Sequence, residues 1–343
     1  MNHSTNHERI QTILDELVNL IHQDPTTVTP MFQSLLGILA QTNDSQDINI
    51  IKHTLRELLS AFKVFLPYRD VRKVAIFGSA RTPADHPAYQ LTEAFARLIT
   101  HKGYMVITGA GGGIMEAGNR GSEVNMSFGA NIILPFEQAP NPYIDTSSKL
   151  VSFKYFFNRK LTFIRESDAT VLCPGGFGTH DEAFEVLTLV QTGRCAPRPV
   201  VLLAPNGDDY WYRWIEFVQS ELLGKQYISE DDLFLYRHVH TAQDAVDHII
   251  RFYRRYHSIR YHNDLTIIRL NTPLPPEALR EMTTKFKSLL VKGEIEQVMP
   301  SELGFDADVY PDLPRLLIYY NRNTFGRLYQ LIDYINHIPD SVS

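Results

Sequence analysis

From about Glu8 to Tyr68 apolar residues recur three and four positions apart: Ile10, Ile13, Leu14, Leu17, Leu20 and Ile21, then Leu55, Leu58, Leu59 and Phe62. That spacing puts them on one face of a helix. Asp24-Pro25 and Asn43-Asp44-Ser45 interrupt the pattern, because proline breaks the helical ladder and Asn, Asp and Ser bond their own backbone in turns. The stretch predicts roughly three helices.

At Val74 the period changes to short β-rich runs separated by helical stretches. The runs are Val74–Phe77, Met105–Ile107, Asn131–Leu134, Leu150–Phe153, Thr170–Cys173 and Val200–Leu203. Alternating strands and helices predict a parallel sheet with helices on both faces. In such doubly wound sheets the crossovers are right-handed, and ligands sit beyond the carboxyl ends of the strands, where the winding reverses.

After about Tyr256 the pattern gives a strand over Leu265–Leu270, a helix opened by Pro275-Pro276-Glu277, a strand over Arg315–Tyr320 and a helix ending near Ile335. This reads as a βαβα appendage, with a continuation of the main sheet as the alternative. The expected organisation is an α/β protein: an N-terminal helical extension over 1–70, a doubly wound domain over 71–257, and a small C-terminal α+β appendage over 258–343.

A chain of 343 residues, 44% hydrophobic and 21% charged, has room and composition for that core. The net charge of −6 disfavours binding to nucleic acid or anionic membranes, so an anionic ligand has to be gripped locally. The two cysteines, Cys173 and Cys195, offer neither a disulfide framework nor a zinc pair, which is consistent with a reducing cytoplasm. The opening MNHSTNHERI lacks the order of a secretory signal, and no apolar run reaches the ~20 residues of a membrane span.

Three strand ends carry unusual loops. The first run leads into Gly78-Ser79-Ala80-Arg81, the second into Thr108-Gly109-Ala110-Gly111-Gly112-Gly113, and the fifth into Pro174-Gly175-Gly176-Phe177-Gly178-Thr179. Glycine lets backbone approach a ligand, and a glycine-rich turn opening a helix aims free N–H groups at an anion. One such loop can be a mere tight turn; two at neighbouring strand ends describe a phosphate cradle. Neither ends in the Gly-Lys-Ser/Thr of a P-loop, and Ile114 and Asp181 stand where a dinucleotide fingerprint wants glycine.

Thr179-His180-Asp181-Glu182 has the spacing of a capping box at the start of a helix, which would give Glu182 a purely structural role. A carboxylate at an anion site suits a different task as well, because cleavage of an N-glycosidic bond passes through an oxocarbenium ion that a carboxylate stabilises. Arg159, followed by Lys160, shares a helical row with Tyr155 and Phe163 and so emerges at the margin of an apolar face, where snorkelling to solvent competes with a role at the site. Asp168 either caps or fixes its loop. The Arg251–His262 stretch interleaves arginines with aromatics, and a helix end with basic residues in its last turn explains it better than a nucleic-acid platform. No metal-ligand spacing or serine-hydrolase elbow is present in the sequence, and no cofactor is implied.

PGGFGTHDE (Pro174–Glu182) resembles the PGGxGTxxE signature of the LOG family, and Arg159-Lys160 stands where that family has its Arg-Lys pair. GSAR (Gly78–Arg81) and TGAGGGIMEAGNRG (Thr108–Gly121) resemble its earlier loops, over a span from Val71 to His257. The resemblance implies a Rossmann-like phosphoribohydrolase acting on a nucleoside 5′-monophosphate such as AMP or a cytokinin riboside monophosphate, assembled as a homodimer. It implies catalytic roles for Arg159 and Glu182. Substrate contacts would come from Ser79, Gly111, Gly112, Gly113, Lys160, Gly175, Gly176, Gly178 and Thr179. Nothing resembles a pyridoxal-phosphate lysine site. A nucleotide sensor using the same cradle, and an enzyme transferring the phosphoribosyl group to an acceptor, are the alternatives.

Overall fold

The computed structural model describes residues 12–18, 20, 24–123, 125–134, 139–146, 148–306 and 309–339, so Ile10 and Ile21 of the first apolar face lie outside the described residues. The chain forms two compact units, Met1–Leu59 and Ser60–Ser343. In the first, helix α1 (Pro25–Gln41) opens at Asp24, whose carboxylate accepts the Thr26 N–H at 3.0 Å. Pro25 takes the first helical position, where its missing N–H costs nothing. Helix α2 (Ser45–Phe65) follows and runs on past Leu59 into the second unit.

The second unit holds a seven-stranded parallel sheet: β1 (Lys73–Phe77), β2 (Met105–Thr108), β3 (Ser127–Ile132), β4 (Leu150–Phe153), β5 (Ala169–Leu172), β6 (Val200–Leu203) and β7 (Arg237–Val239), in the order β4-β3-β2-β1-β5-β6-β7. The chain winds outward from β1 to β4 and then returns to lay β5 against the other side of β1, with Val74 opposite Ala169. The winding therefore reverses between β1 and β5.

Successive strand residues point to opposite faces, and both faces are covered. Val74, Ile76, Val106, Val171, Val201 and Leu203 join one core with Phe95, Ala96 and Ile99 of helix α3 (Pro87–His101) and Ala245, Val246 and Ile249 of helix α8 (Ala242–Phe252). Ala75, Phe77, Ile107, Leu172 and Leu202 join the other, with Phe163 of helix α5 (Phe156–Glu166), Val186 and Val190 of helix α6 (Phe177–Gln191), and Trp211 and Trp214 of helix α7 (Tyr210–Phe217). Helix α4 (Ile114–Gly121) lies between β2 and β3 in the chain.

Two expectations need correction here. The third strand is Ser127–Ile132 rather than Asn131–Leu134. The Arg251–His262 stretch is a helix end only at its start: α8 stops at Phe252 with Arg251 in its last turn, and the rest is β8 (Tyr256–His262), which pairs antiparallel with β9 (Leu265–Leu270). Arg255 is 1% exposed, and its Nε donates to Thr272 Oγ1 at 3.0 Å, so it is a structural arginine rather than a solvated last-turn cation.

With β10 (Glu296–Val298) and β11 (Arg315–Ile318), these strands make a separate antiparallel sheet in the order β10-β11-β9-β8. Helices α9 (Pro276–Lys285) and α10 (Phe325–His337) accompany it. Ile268, Leu316, Leu331 and Ile332 share one core cluster with Leu202 and Phe252 of the main sheet region. The junction is fastened by Asn336, 2% exposed, whose Oδ1 accepts the Arg255 and Tyr256 N–H groups at 2.8 and 3.0 Å and whose Nδ2 donates to Phe252 O at 2.6 Å. Tyr329 adds a clamp on Arg198, accepting its N–H at 2.7 Å and donating to its carbonyl at 2.5 Å. Among the described residues no helix is long and apolar enough to cross a membrane.

Asn336→Ala strands three buried backbone groups at once. It is expected to lower the unfolding free energy by about 3 kcal/mol, which urea denaturation followed by circular dichroism measures.

Candidate active site at the strand switch point

The three glycine-bearing loops follow β1, β2 and β5, which are adjacent in the sheet. They meet on Ser79. Its N–H donates to Pro174 O at 3.0 Å, its carbonyl accepts the Ile114 N–H at 3.0 Å, and its Oγ accepts the Arg81 N–H at 3.1 Å. Gly113 takes φ +62, and a Cβ there would stand 2.3 Å from Ser79 O. A Cβ on Gly175 would stand 2.8 Å from Ser79 N and 2.2 Å from Thr179 Oγ1. Those two positions need glycine so that the loops can touch.

The contacts leave donors unspent. Among the described residues, the N–H groups of Gly111, Gly112 and Gly113 on one loop and of Gly176, Phe177 and Gly178 on the other meet no acceptor. The second set opens α6, where free N–H groups and the positive end of the helix dipole coincide. The Thr179 N–H is already used on Gly176 O at 3.0 Å, and the Thr179 side chain lies buried against Gly175.

Helix α6 starts at Phe177 with Gly176 as its N-cap, two residues before the expected start, and no capping box forms at Thr179. Glu182 is therefore a second-turn residue. It is 6% exposed and makes no hydrogen bond among the described residues. Burial raises its carboxyl to about 7, even though Arg159 and Lys160 pull it down; Glu185 and Asp181 push the same way as burial.

Arg159 is turned inward instead of snorkelling. Its Nε donates to Ala130 O at 2.9 Å, its guanidinium stands 5.3 Å from the Phe163 ring, and a Cβ on Gly109 would lie 2.7 Å from its Nη2. Burial lowers its pKa from the usual arginine range, with the Glu182 charge acting the other way. Lys160 pairs with Asp181 at 2.8 Å and Glu185 at 3.3 Å. Burial opposes its charge, but these two carboxylates outweigh it and hold the ammonium above its ordinary value.

Asp168 lies at the amino end of β5, away from these loops, where it accepts from Arg72 at 3.1 Å and from the Lys73 N–H at 2.9 Å. Its part is structural. Other residues at the site went unassigned in the sequence. Asn141 Nδ2 donates to Gly111 O at 3.0 Å and to Asn119 Oδ1 at 2.9 Å, and Thr108 Oγ1 donates to the same oxygen at 2.7 Å, bracing the second loop. Tyr210, at the start of α7, donates its hydroxyl to Gly175 O at 2.5 Å and lies 2.7 Å from His180 Nε2. No local motif marks Asn141 or Tyr210, each some 30 residues from its partner on the loop.

A family model described as "Possible lysine decarboxylase" matches residues 108–249. Two curated relatives from Oryza sativa subsp. japonica are similar to this chain, both named probable cytokinin riboside 5′-monophosphate phosphoribohydrolase. LOGL3 is 35% identical over 89 residues, covering 26% of this chain and 40% of the relative, and LOGL5 is 28% identical over 155 residues, covering 43% and 60%. The matched stretches thus span about half of those relatives' length. The X-ray structure of TM1055 is 25% identical, with a TM-score of 0.37, covering 52% of this chain and 98% of that one. Over these stretches, within the Rossmann-like sheet region, the chain is similar to the LOG family.

Proposed function

We propose that the chain hydrolyses the N-glycosidic bond of a nucleoside 5′-monophosphate, AMP or a cytokinin riboside monophosphate, giving free base and ribose 5-phosphate. The observation that carries this reading is Glu182: a residue 6% exposed whose carboxyl makes no hydrogen bond among the described residues, in the second turn of a helix whose first N–H groups meet no acceptor among them. The relatives' names describe the same reaction.

In this reading the phosphate rests on the N–H groups of Gly176, Phe177 and Gly178, with Gly111–Gly113 and Ser79 closing round the nucleotide. The C1′–N bond breaks with its electron pair leaving on the base, and the oxocarbenium charge is met by ionised Glu182. Glu182 also orients the water whose oxygen bonds C1′ and whose proton ends on the base. Arg159 keeps the carboxylate ionised and in place, and Lys160 fixes α5 against α6 through Asp181 and Glu185.

A homodimer fits the same surface. Phe177 in the signature loop is 96% exposed, and Phe156, Phe157, Leu161 and Phe184 are also exposed on the two helices that Lys160 ties together. Phe157→Asp with Phe177→Asp is expected to convert a dimer to a monomer in light scattering after size-exclusion chromatography.

The reaction is tested by incubating purified protein with AMP, GMP, CMP, UMP and isopentenyladenosine monophosphate and separating free base by chromatography. Release by wild type and loss of at least ~100-fold in kcat for Glu182→Gln are expected. Full turnover by a folded Glu182→Gln variant sinks the assignment. Tight binding without product would make the cradle a sensor, and product only with an added acceptor would make the enzyme a transferase.

Because the carboxyl titrates at about 7 and acts ionised, kcat/KM should rise as pH rises through that value. The same raised pKa means the folded state binds Glu182's proton more tightly than the unfolded state, so its ionisation costs stability increasingly as pH rises through about 7. Glu182→Gln should therefore gain in Tm over wild type at pH 8 relative to pH 5, as calorimetry would show.

A further inference from the structure

Tyr210 follows β6 in the chain and reaches across to the signature loop. Its hydroxyl carries one proton. The Gly175 carbonyl at 2.5 Å can only accept, so that proton is committed there, and the tyrosine oxygen must in turn accept from His180 Nε2 at 2.7 Å. His180 is thereby fixed as the Nε2–H tautomer, and burial lowers its pKa, keeping it neutral. Stacking of the two rings, with centroids 5.9 Å apart, and the edge contact of Tyr210 on Trp211 at 4.9 Å hold the pair in place.

The Gly175 carbonyl and the Gly176 N–H belong to one peptide unit. In a trans peptide the two point in opposite directions, so holding the oxygen toward Tyr210 turns the Gly176 N–H away from it. A Cβ on Gly176 would meet nothing within 4 Å, so packing at that position does not hold the unit; its neighbours are held, Gly175 against Ser79 and Thr179 and the Gly176 carbonyl by the Thr179 and His180 N–H groups. Within the unit itself, the hydrogen bond that orients it among the described residues is the tyrosine's.

We infer that Tyr210, oriented by His180, is a positioning residue for the 5′-phosphate: it fixes the Gly175–Gly176 peptide so that the Gly176 N–H is presented to the phosphate before the ligand arrives. This rests on the reading of the loop as a phosphate cradle. A pre-oriented donor acts on ground state and transition state alike, since the phosphate does not react, so its loss falls on KM and leaves kcat nearly unchanged.

The same helix supplies an internal control. Tyr212 makes an equivalent pair with His240, 2.9 Å from its hydroxyl, without touching either loop. Tyr210→Phe keeps the ring and removes only the hydroxyl; Tyr212→Phe does the same at the control position. Calorimetric titration with ribose 5-phosphate should show Tyr210→Phe binding roughly fivefold to tenfold more weakly than wild type, with Tyr212→Phe unchanged. In the base-release assay KM should rise by a similar factor, with kcat within about twofold.

Equal affinity in wild type and Tyr210→Phe overturns the inference while leaving hydrolysis intact, as does a lower Tm for Tyr210→Phe without weaker binding. Weaker binding by Tyr210→Phe in a protein that releases no base supports the inference and removes the hydrolase reading. Failure of wild type to bind ribose 5-phosphate overturns both.

Discussion

The Ser79 backbone spends its N–H on Pro174 and its carbonyl on Ile114, so one residue after β1 is bonded to the loops that follow β2 and β5. Those bonds require backbone-to-backbone contact from two sides, which any side chain at Gly113 or Gly175 would block. Gly78 shows the same constraint from the other direction, since a Cβ there would lie 2.6 Å from Ile114 Cγ2. The glycines serve loop-to-loop contact first. Unspent donors on two separate loops are brought together because of it.

Charge at the site divides into two parts with little overlap. One part is neutral, the backbone N–H groups and the helix terminus, of a kind that can meet an anion without a counter-ion or a desolvated cation. The ionic part is Glu182 with Arg159, both driven toward neutrality by burial and each supporting the other's charge. Lys160 is committed to Asp181 and Glu185, so it holds helices together at the edge of the site. The free backbone donors and the Glu182–Arg159 charges draw on different groups.

Strands buried on both faces were legible in the sequence, β1, β2, β5 and β6 falling on apolar runs such as VAIF and VVLL, and edge strand β4 falls on LVSF. The strands that escaped have other reasons for being strands. In β3, Gly129 is set by close packing, since a Cβ would meet Ala110 Cβ and Leu150 Cδ1 at 2.7 Å, and Ser127 and Asn131 dilute the apolar signal. Three-residue β7 lies at the sheet edge. β8 hides its alternation among Arg and His, because its partners include Arg269 and the ring of Phe305. At the site, the glycine-rich composition and Glu182 were readable, yet the spacing at Thr179 suggested a cap that does not form. The glycine loop itself runs into the helix, with Gly176 in the capping position.

The Asn336 junction also bears on the order in which the molecule is assembled during synthesis. The backbone groups it satisfies at Phe252, Arg255 and Tyr256 are made 80 to 84 residues before the asparagine that satisfies them. Sealing that junction is a late, non-local event, of the kind that slows folding and leaves apolar surface waiting. The glycine-loop end differs: its loops and braces all fall between Gly78 and Tyr210. A nascent chain can thus complete its glycine loops while the helix that carries Asn336 is still being translated.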